Sequence, residues 1–422
     1  KLGIKEEILL QRLLILLQRI KTRFQDQALV VDYVHDNISA FGGDPNQITL
    51  VGSSAGAVST HLHMISNFYS TKKKLKAAIC MSGSSYNVWG LNSLETALSI
   101  RQCHRMPHYP DTEAIVNCLR KVNADILVAN QLLIFSSGFF LPSIEPSVPG
   151  AMVTMTPDQA YASGRVAAIP WIATMTSREL NLPIPGMQKF IHIILNLFNN
   201  SYRTTFFSAA LQANVVASIL RTAFNSDLSS LLSFRRKGVD EAEVRKKILK
   251  FYTGGDSAND LSRDKISQIA TDRYFTVAIR KAAQMHSQIA PTYISIFNYS
   301  SSLGRAGRRG LSSTEFGPLH GDDLVYFLNS TVNHPPIRRT DSHFAITKLL
   351  VNLYGNFALH GEPLFTSEDK TNYKIWDKID NQENLRFLRI DEEVKMIDDP
   401  YKETSQFWES LDIPDTTAYL RL

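Results

Sequence analysis

The stretch Ile48-Thr49-Leu50-Val51-Gly52-Ser53-Ser54-Ala55-Gly56-Ala57-Val58-Ser59-Thr60-His61-Leu62-His63-Met64 decides the reading of this chain. Its first four residues are β-branched or apolar and suit a buried parallel strand. Its last eight suit a helix packed beneath that strand. Between them lies Gly-x-Ser-x-Gly, a turn tight enough to hold a serine in strained backbone and expose its hydroxyl. Small residues on both sides relieve contact between strand and helix. The same turn aims the backbone N–H of Ala55 toward the positive end of the helix, where a developing oxyanion would be stabilised. A surface Ser-Gly loop is the competing reading, and the pentapeptide by itself does not dismiss it.

Composition sets outer bounds. The 422 residues are 44% hydrophobic, enough for a large core in one big domain or two smaller ones. A formal charge of +5 is small at this length. Basic residues gather at Lys72-Lys73-Lys74, Arg235-Arg236-Lys237 and from Arg305 to Arg309. Each cluster adjoins loop-like residues without interleaved aromatics, which reads as solvated corners and not as a nucleic-acid groove. No apolar run reaches transmembrane length, so no membrane partner is expected. The chain opens on Lys1 rather than Met, so a start codon and any signal peptide lie outside this sequence.

Further along, strands and helices alternate. A helical period covers Leu29 to Ile38 and stops at Phe41-Gly42-Gly43-Asp44-Pro45. Strands are expected at Ile48–Val51, Ala77–Met81, Trp171–Met175 and Tyr293–Tyr299, and the stretch from Pro185 to Gly254 reads as mostly helical. This is an α/β pattern with helical insertions. Two more groups could then complete the chemistry that Ser54 begins. Glu179 follows the strand at Trp171–Met175, at the carboxyl end where α/β sites collect functional groups. His320 lies in Glu315-Phe316-Gly317-Pro318-Leu319-His320-Gly321-Asp322-Asp323-Leu324, a loop stiffened by glycine and proline. His61 and His63 follow the serine on its own helix and read as packed or solvent-facing residues. The order Ser54, Glu179, His320 is the serine, acid, histidine order of an α/β-hydrolase. The expected fold is therefore an α/β-hydrolase with a mostly parallel sheet and flanking helices.

The same residues carry a family resemblance. Asn37-Ile38-Ser39-Ala40-Phe41-Gly42-Gly43-Asp44-Pro45 leading into Gly52-Ser53-Ser54-Ala55-Gly56 resembles type-B carboxylesterases and cholinesterases, with a flavour nearest insect esterases. The likeness continues at Ser82-Gly83-Ser84, Trp89, Cys118-Leu119-Arg120, Thr176-Ser177-Arg178-Glu179, His320-Gly321-Asp322-Asp323, Asn356-Phe357-Ala358, Gly361, Pro363 and Trp376. It covers the chain from about residue 25 onward. The resemblance implies that Ser54 is the nucleophile, His320 the general base and acid, and Glu179 the carboxylate orienting it. It implies a small carboxylic ester as substrate, with no metal or organic cofactor. Trp89 matches an acyl-pocket tryptophan, and reads equally well as a core aromatic. Cys103 and Cys118 match a family disulfide, which would close a polar surface loop in an oxidising compartment. Cys80, in an apolar strand, is expected to be a buried thiol. With sequons at Asn37, Asn199, Asn298 and Asn329, the resemblance implies a secreted glycoprotein.

Departures from the family pattern are equally concrete. Ser53 stands where glutamate is usual, and Leu180 where glycine usually follows the acid. The family's long N-terminal portion, with its glycine-rich oxyanion loop and early strands, has no counterpart here, so the domain is expected to be N-terminally truncated. Ala55 is then the one oxyanion donor that can be named, activity is expected to be weak or absent, and the strand at Ile48–Val51 is expected to expose an edge. Residues 1–24 read as an amphipathic helical segment outside the family, joined to a carboxylesterase domain at 25–422. A catalytically silent adhesion or binding module is the alternative function. Such modules typically lose a triad residue, and this chain keeps all three.

Overall fold

The computed structural model describes residues 18–66, 69–91, 117–118, 120–125, 141–145, 147, 150–181, 221–222, 224–226, 228–234, 238–328, 336–411 and 413. The expected helical stretch over 185–220, the expected amphipathic segment up to residue 17, Cys103, Asn199 and Asn329 lie outside them.

Eight strands are described: β1 (Ile48–Ser53), β2 (Leu75–Met81), β3 (Trp171–Thr176), β4 (Thr292–Phe297), β5 (Phe365–Thr366), β6 (Asn372–Tyr373), β7 (Arg386–Ile390) and β8 (Lys395–Asp398). Six form one sheet in the order β1-β2-β3-β4-β7-β8; β5 and β6 make a separate antiparallel ribbon. Pairing is parallel from β1 to β7, and β8 runs antiparallel to β7. This is the mostly parallel α/β-hydrolase sheet that the sequence leads one to expect. The fourth strand ends at Phe297, short of the expected Tyr299, and Asn298 makes a last ladder bond from its N–H to the Ile390 carbonyl at 2.8 Å.

The strands are apolar on both sides because helices cover both faces. In β2 the residues Ala77, Ile79 and Met81 enter one core with Leu350, Leu353 and Phe357 of the helix α7 (Phe344–His360). Ala78 and Cys80 enter the opposite core with Ala57 and Met64 of α2 (Ala55–Ile65) and Ile279, Ala282 and Ala283 of α6 (Val277–His286). The period of two thus divides one strand between two cores.

Among the further helices are α1 (Gln18–Asn37), α3 (Pro157–Ala162), α4 (Glu241–Thr253) and α5 (Arg263–Thr271). Helix α1 begins well before the expected Leu29 and crosses the expected domain boundary after residue 24 without a break. Phe24, Ala28 and Val31, at helical spacing, are buried, while Leu29, Val30 and Tyr33 face outward. A one-turn 3₁₀ helix over Ile38–Phe41 and a left-handed Gly42 (φ 81°) end it. Among the described residues β1 has a single sheet neighbour, and Val51 on it is 43% exposed.

Candidate active site

Three chain segments meet the carboxyl end of the sheet. The first is the turn from β1 into α2. Ser54 has φ 58° and ψ −122°, a conformation that costs a non-glycine residue about 1–3 kcal/mol. The turn is pinned by the Ser54 N–H donating to the Met81 carbonyl at 2.8 Å. Gly52 makes it possible: a Cβ there would fall 2.1 Å from the Gly56 carbonyl oxygen and 2.3 Å from its carbon. Gly56 differs from the sequence expectation, since a Cβ on it would meet nothing within 4 Å. Strand and helix approach at one glycine, and the other supplies the backbone that it touches. Ala55 is exposed at the start of α2, where an N–H has no intrahelical acceptor.

The second and third segments meet each other. Glu179 lies just past β3 in a turn and is 0% exposed. Its Oε1 accepts the Thr176 N–H at 2.8 Å, and its Oε2 sits 2.6 Å from Nδ1 of His320. The His320 N–H also donates to the Glu179 carbonyl at 3.3 Å. Such an arrangement fixes the ring and its tautomer: Nδ1 carries a proton toward the carboxylate, which leaves Nε2 as the basic nitrogen. Burial alone would lower the affinity of His320 for a proton. The Glu179 charge and hydrogen bond outweigh that burial, and the net shift is upward. The loop around it is clamped by Asp322, whose two oxygens accept the N–H groups of Arg305 and Leu319, each at 2.8 Å. Gly321 beside it has φ 77°.

A relay of packing contacts runs from Ser54 to His320. A Cβ on Gly83 would lie 2.7 Å from the Ser54 carbonyl and 3.2 Å from the Trp89 ring. Trp89 packs on Phe275 at 5.3 Å between centroids, and Phe275 packs on His320 at 5.0 Å. Trp89 also donates its Nε1–H to the Tyr274 carbonyl at 2.8 Å. Phe275 and Tyr274 belong to a π-helical turn, Asp272–Thr276, joining α5 to α6. Such turns recur at functional sites. No sequence feature marked this one. Among the described residues no hydrogen bond joins the Ser54 hydroxyl to His320. In free enzymes that bond is often long and tightens only with substrate.

The remaining candidates are accounted for locally. His61 and His63 are both buried, not solvent-facing. Burial lowers their proton affinity, to about 3 for His61, where His286 adds to the effect, and to about 4 for His63. Cys80 is a buried free thiol whose Sγ lies 3.3 Å from the Ala57 carbonyl. Among the described residues no group of acidic, histidine or cysteine side chains is set to hold a metal, and no helix is long and apolar enough to cross a membrane. The sequence reading passed over Asp323, a buried carboxyl in the histidine loop. Its advance signals were its place three residues after His320 and in the His320-Gly321-Asp322-Asp323 motif, which gave it no role of its own.

With the geometry in hand, likeness to known proteins is informative. The sequence profile described as the carboxylesterase family matches residues 23–408. Juvenile hormone esterase of Tribolium castaneum is 26% identical over 367 residues, 80% of this chain and 57% of that protein. A carboxylic ester hydrolase of Bombus ignitus is 25% identical over 396 residues, 92% of this chain and 66% of that protein. The chain thus spans 57% to 66% of the length of these two relatives. The crystal structure of juvenile hormone esterase from Manduca sexta, with OTFP covalently attached, matches with a TM-score of 0.67 at 22% identity. That match covers 92% of this chain and 69% of the Manduca chain, and it shows a shared fold.

Proposed function

Because the chain belongs to the carboxylesterase family, we propose that it hydrolyses carboxylic esters through an acyl intermediate on Ser54. The observation that supports this most is the Glu179–His320 contact at 2.6 Å, at the same end of the sheet as the strained Ser54. In this reading Nε2 of His320 takes the Ser54 proton as the hydroxyl attacks the ester carbonyl. The Ala55 N–H stabilises the oxyanion, a contribution of about 3–4 kcal/mol for one well-placed donor. His320 then protonates the departing alcohol, and water, activated by the same nitrogen, releases the acid. Glu179 keeps Nδ1 protonated and stabilises the imidazolium formed in both steps. Trp89 and Phe275 would border the acyl or alcohol group.

The test is hydrolysis of a short-chain aryl ester by the wild type and by Ser54→Ala. Weak turnover in the first, with Ala55 as the one oxyanion donor named, and none above background in the second is expected. Equal rates in both would remove Ser54 from the chemistry and favour a binding role. A secreted setting is proposed alongside, with a Cys103–Cys118 bridge. Thiol titration of unreduced protein should then find one reactive group after denaturation, that of Cys80. Three would exclude the bridge.

A further inference from the structure

Two neighbouring aspartates in the histidine loop are held in opposite ways. Asp322 has both oxygens bonded to backbone N–H groups and fixes the loop. Asp323 is 1% exposed, and neither of its carboxyl oxygens has a hydrogen-bond partner among the described residues. A buried carboxyl without partners costs stability, and a purely architectural role would favour a neutral side chain of the same shape. The charges that reach Asp323 are those of Glu179, His320 and Asp322, and Tyr354 of α7 also lies within its field. His320 in turn is faced by Glu179, Arg305 and Asp323.

Resting on the esterase reading above, we propose that Asp323 is a positioning residue acting through His320: its ionisation sets the pH range in which the histidine is a free base. Only Glu179 is hydrogen-bonded to the imidazole, and Asp323 is a second carboxyl buried in the loop that carries it. Burial first, and the Glu179 charge second, push Asp323 up to about 7, so it changes charge in the range where His320 works. When it ionises it holds the proton on His320 more firmly. The two groups therefore titrate against each other, and the appearance of free base is spread over a wider pH range than one group would give.

The experiment is labelling of the full chain by a fluorophosphonate between pH 5 and 9, with the adduct on Ser54 followed by mass spectrometry. Asp323→Asn should lower the midpoint of the labelling rate and narrow the curve to that of a single proton. At pH 6 the variant should label severalfold faster, relative to its own rate at pH 9, than the wild type. Asp323→Thr, which removes the charge with a different shape, should behave alike, and thermal melting checks that each variant is folded. A folded variant with the wild-type midpoint, or a higher one, overturns the proposal and leaves Ser54 as nucleophile. Failure of both variants to fold would assign Asp323 to architecture, against the proposal. Absence of any Ser54 adduct in the wild type removes the esterase reading and this inference with it.

Discussion

His320 and His61 are imidazoles with opposite surroundings, one beside a carboxylate and one among neutral groups. His320 has a carboxylate 2.6 Å from Nδ1 and keeps 20% of its side chain exposed. His61 lies on the inner face of α2 with no exposure, stacked on Trp171 at 4.8 Å. Its Nδ1 is 2.9 Å from the Ser85 hydroxyl and accepts the Ser85 N–H at 3.1 Å, and its Nε2 is 3.0 Å from the Tyr161 hydroxyl. The same hydroxyl is 3.1 Å from Nδ1 of His286 on α6. Every partner in that chain is neutral. Burial therefore dominates: it pushes His61 down to about 3, with His286 adding to the effect, and His286 down to about 4 against the opposing hydrogen bond to the Ile169 carbonyl. One histidine is built to gain and lose a proton, the others to remain without a second one. A carboxylate within reach is what raises the proton affinity of one ring where burial lowers that of the others.

The widest separation between these histidines should appear on replacing each. His320→Ala should lower Ser54-dependent hydrolysis by roughly 10³-fold or more, and adding Ser54→Ala should cost little further, because the two act as one unit. His61→Gln should leave measurable hydrolysis while lowering thermal stability by ~1–3 kcal/mol, the cost of buried groups left without partners. Equal loss of activity in both single variants, with both folded, would break the contrast.

Helix α2 carries Ser54 at its start and His61 within, so disturbing its seat should damage both. Gly52→Ala places a Cβ 2.1 Å from the Gly56 carbonyl. It should destabilise the fold by ~3 kcal/mol or more, since backbone cannot yield as a side chain does. Gly56→Ala enters open space and should change the melting temperature little, within about 1 kcal/mol. Denaturant melts of the pair would expose a reversed order.

Acid should sharpen the contrast further. His61 and His286 are depressed below the unfolded value of about 6.5, so the stability of their neutral forms is complete above that pH. It is lost as pH falls toward about 4 and then about 3. Melting temperatures from pH 7.5 to 4.5 should fall in the wild type and fall less steeply in His61→Gln. His320 has the opposite sign: its raised value means that its ion pair stabilises below about 6.5 and fades as pH rises through the folded value. Glu179→Gln should therefore lose stability chiefly on the acid side and move the rising limb of kcat/KM to lower pH. A pH profile unchanged by Glu179→Gln would detach the carboxylate from the base.

Much of this was legible in the chain because it rests on local patterns. The strand, turn and helix around Ser54 follow from β-branched residues, small residues and helical spacing. Glu179 was legible as the residue just past a strand, and His320 as an imidazole in a glycine- and proline-stiffened loop. What escaped depends on long-range packing. His61 sits seven residues past Ser54, and nothing local says whether such a ring meets solvent, a carboxylate or a neutral hydroxyl from residue 161. The π turn at Asp272–Thr276 comes from one extra residue accommodated between two helices, which no period reveals. Gly56 looked sterically required by symmetry with Gly52, and only the direction of approach shows that it is not. Asp323 looked like Asp322 until their hydrogen bonds were compared.

The central claim is that Ser54 is activated by a histidine that Glu179 holds. The most direct measurement is the mass of the Ser54 peptide after exposure to a fluorophosphonate at pH 8, in the wild type and in folded His320→Ala. The account predicts a stoichiometric adduct on Ser54 in the first and a rate lower by roughly 10³-fold or more in the second. An adduct forming on Ser54 at the same rate in both proteins would contradict it.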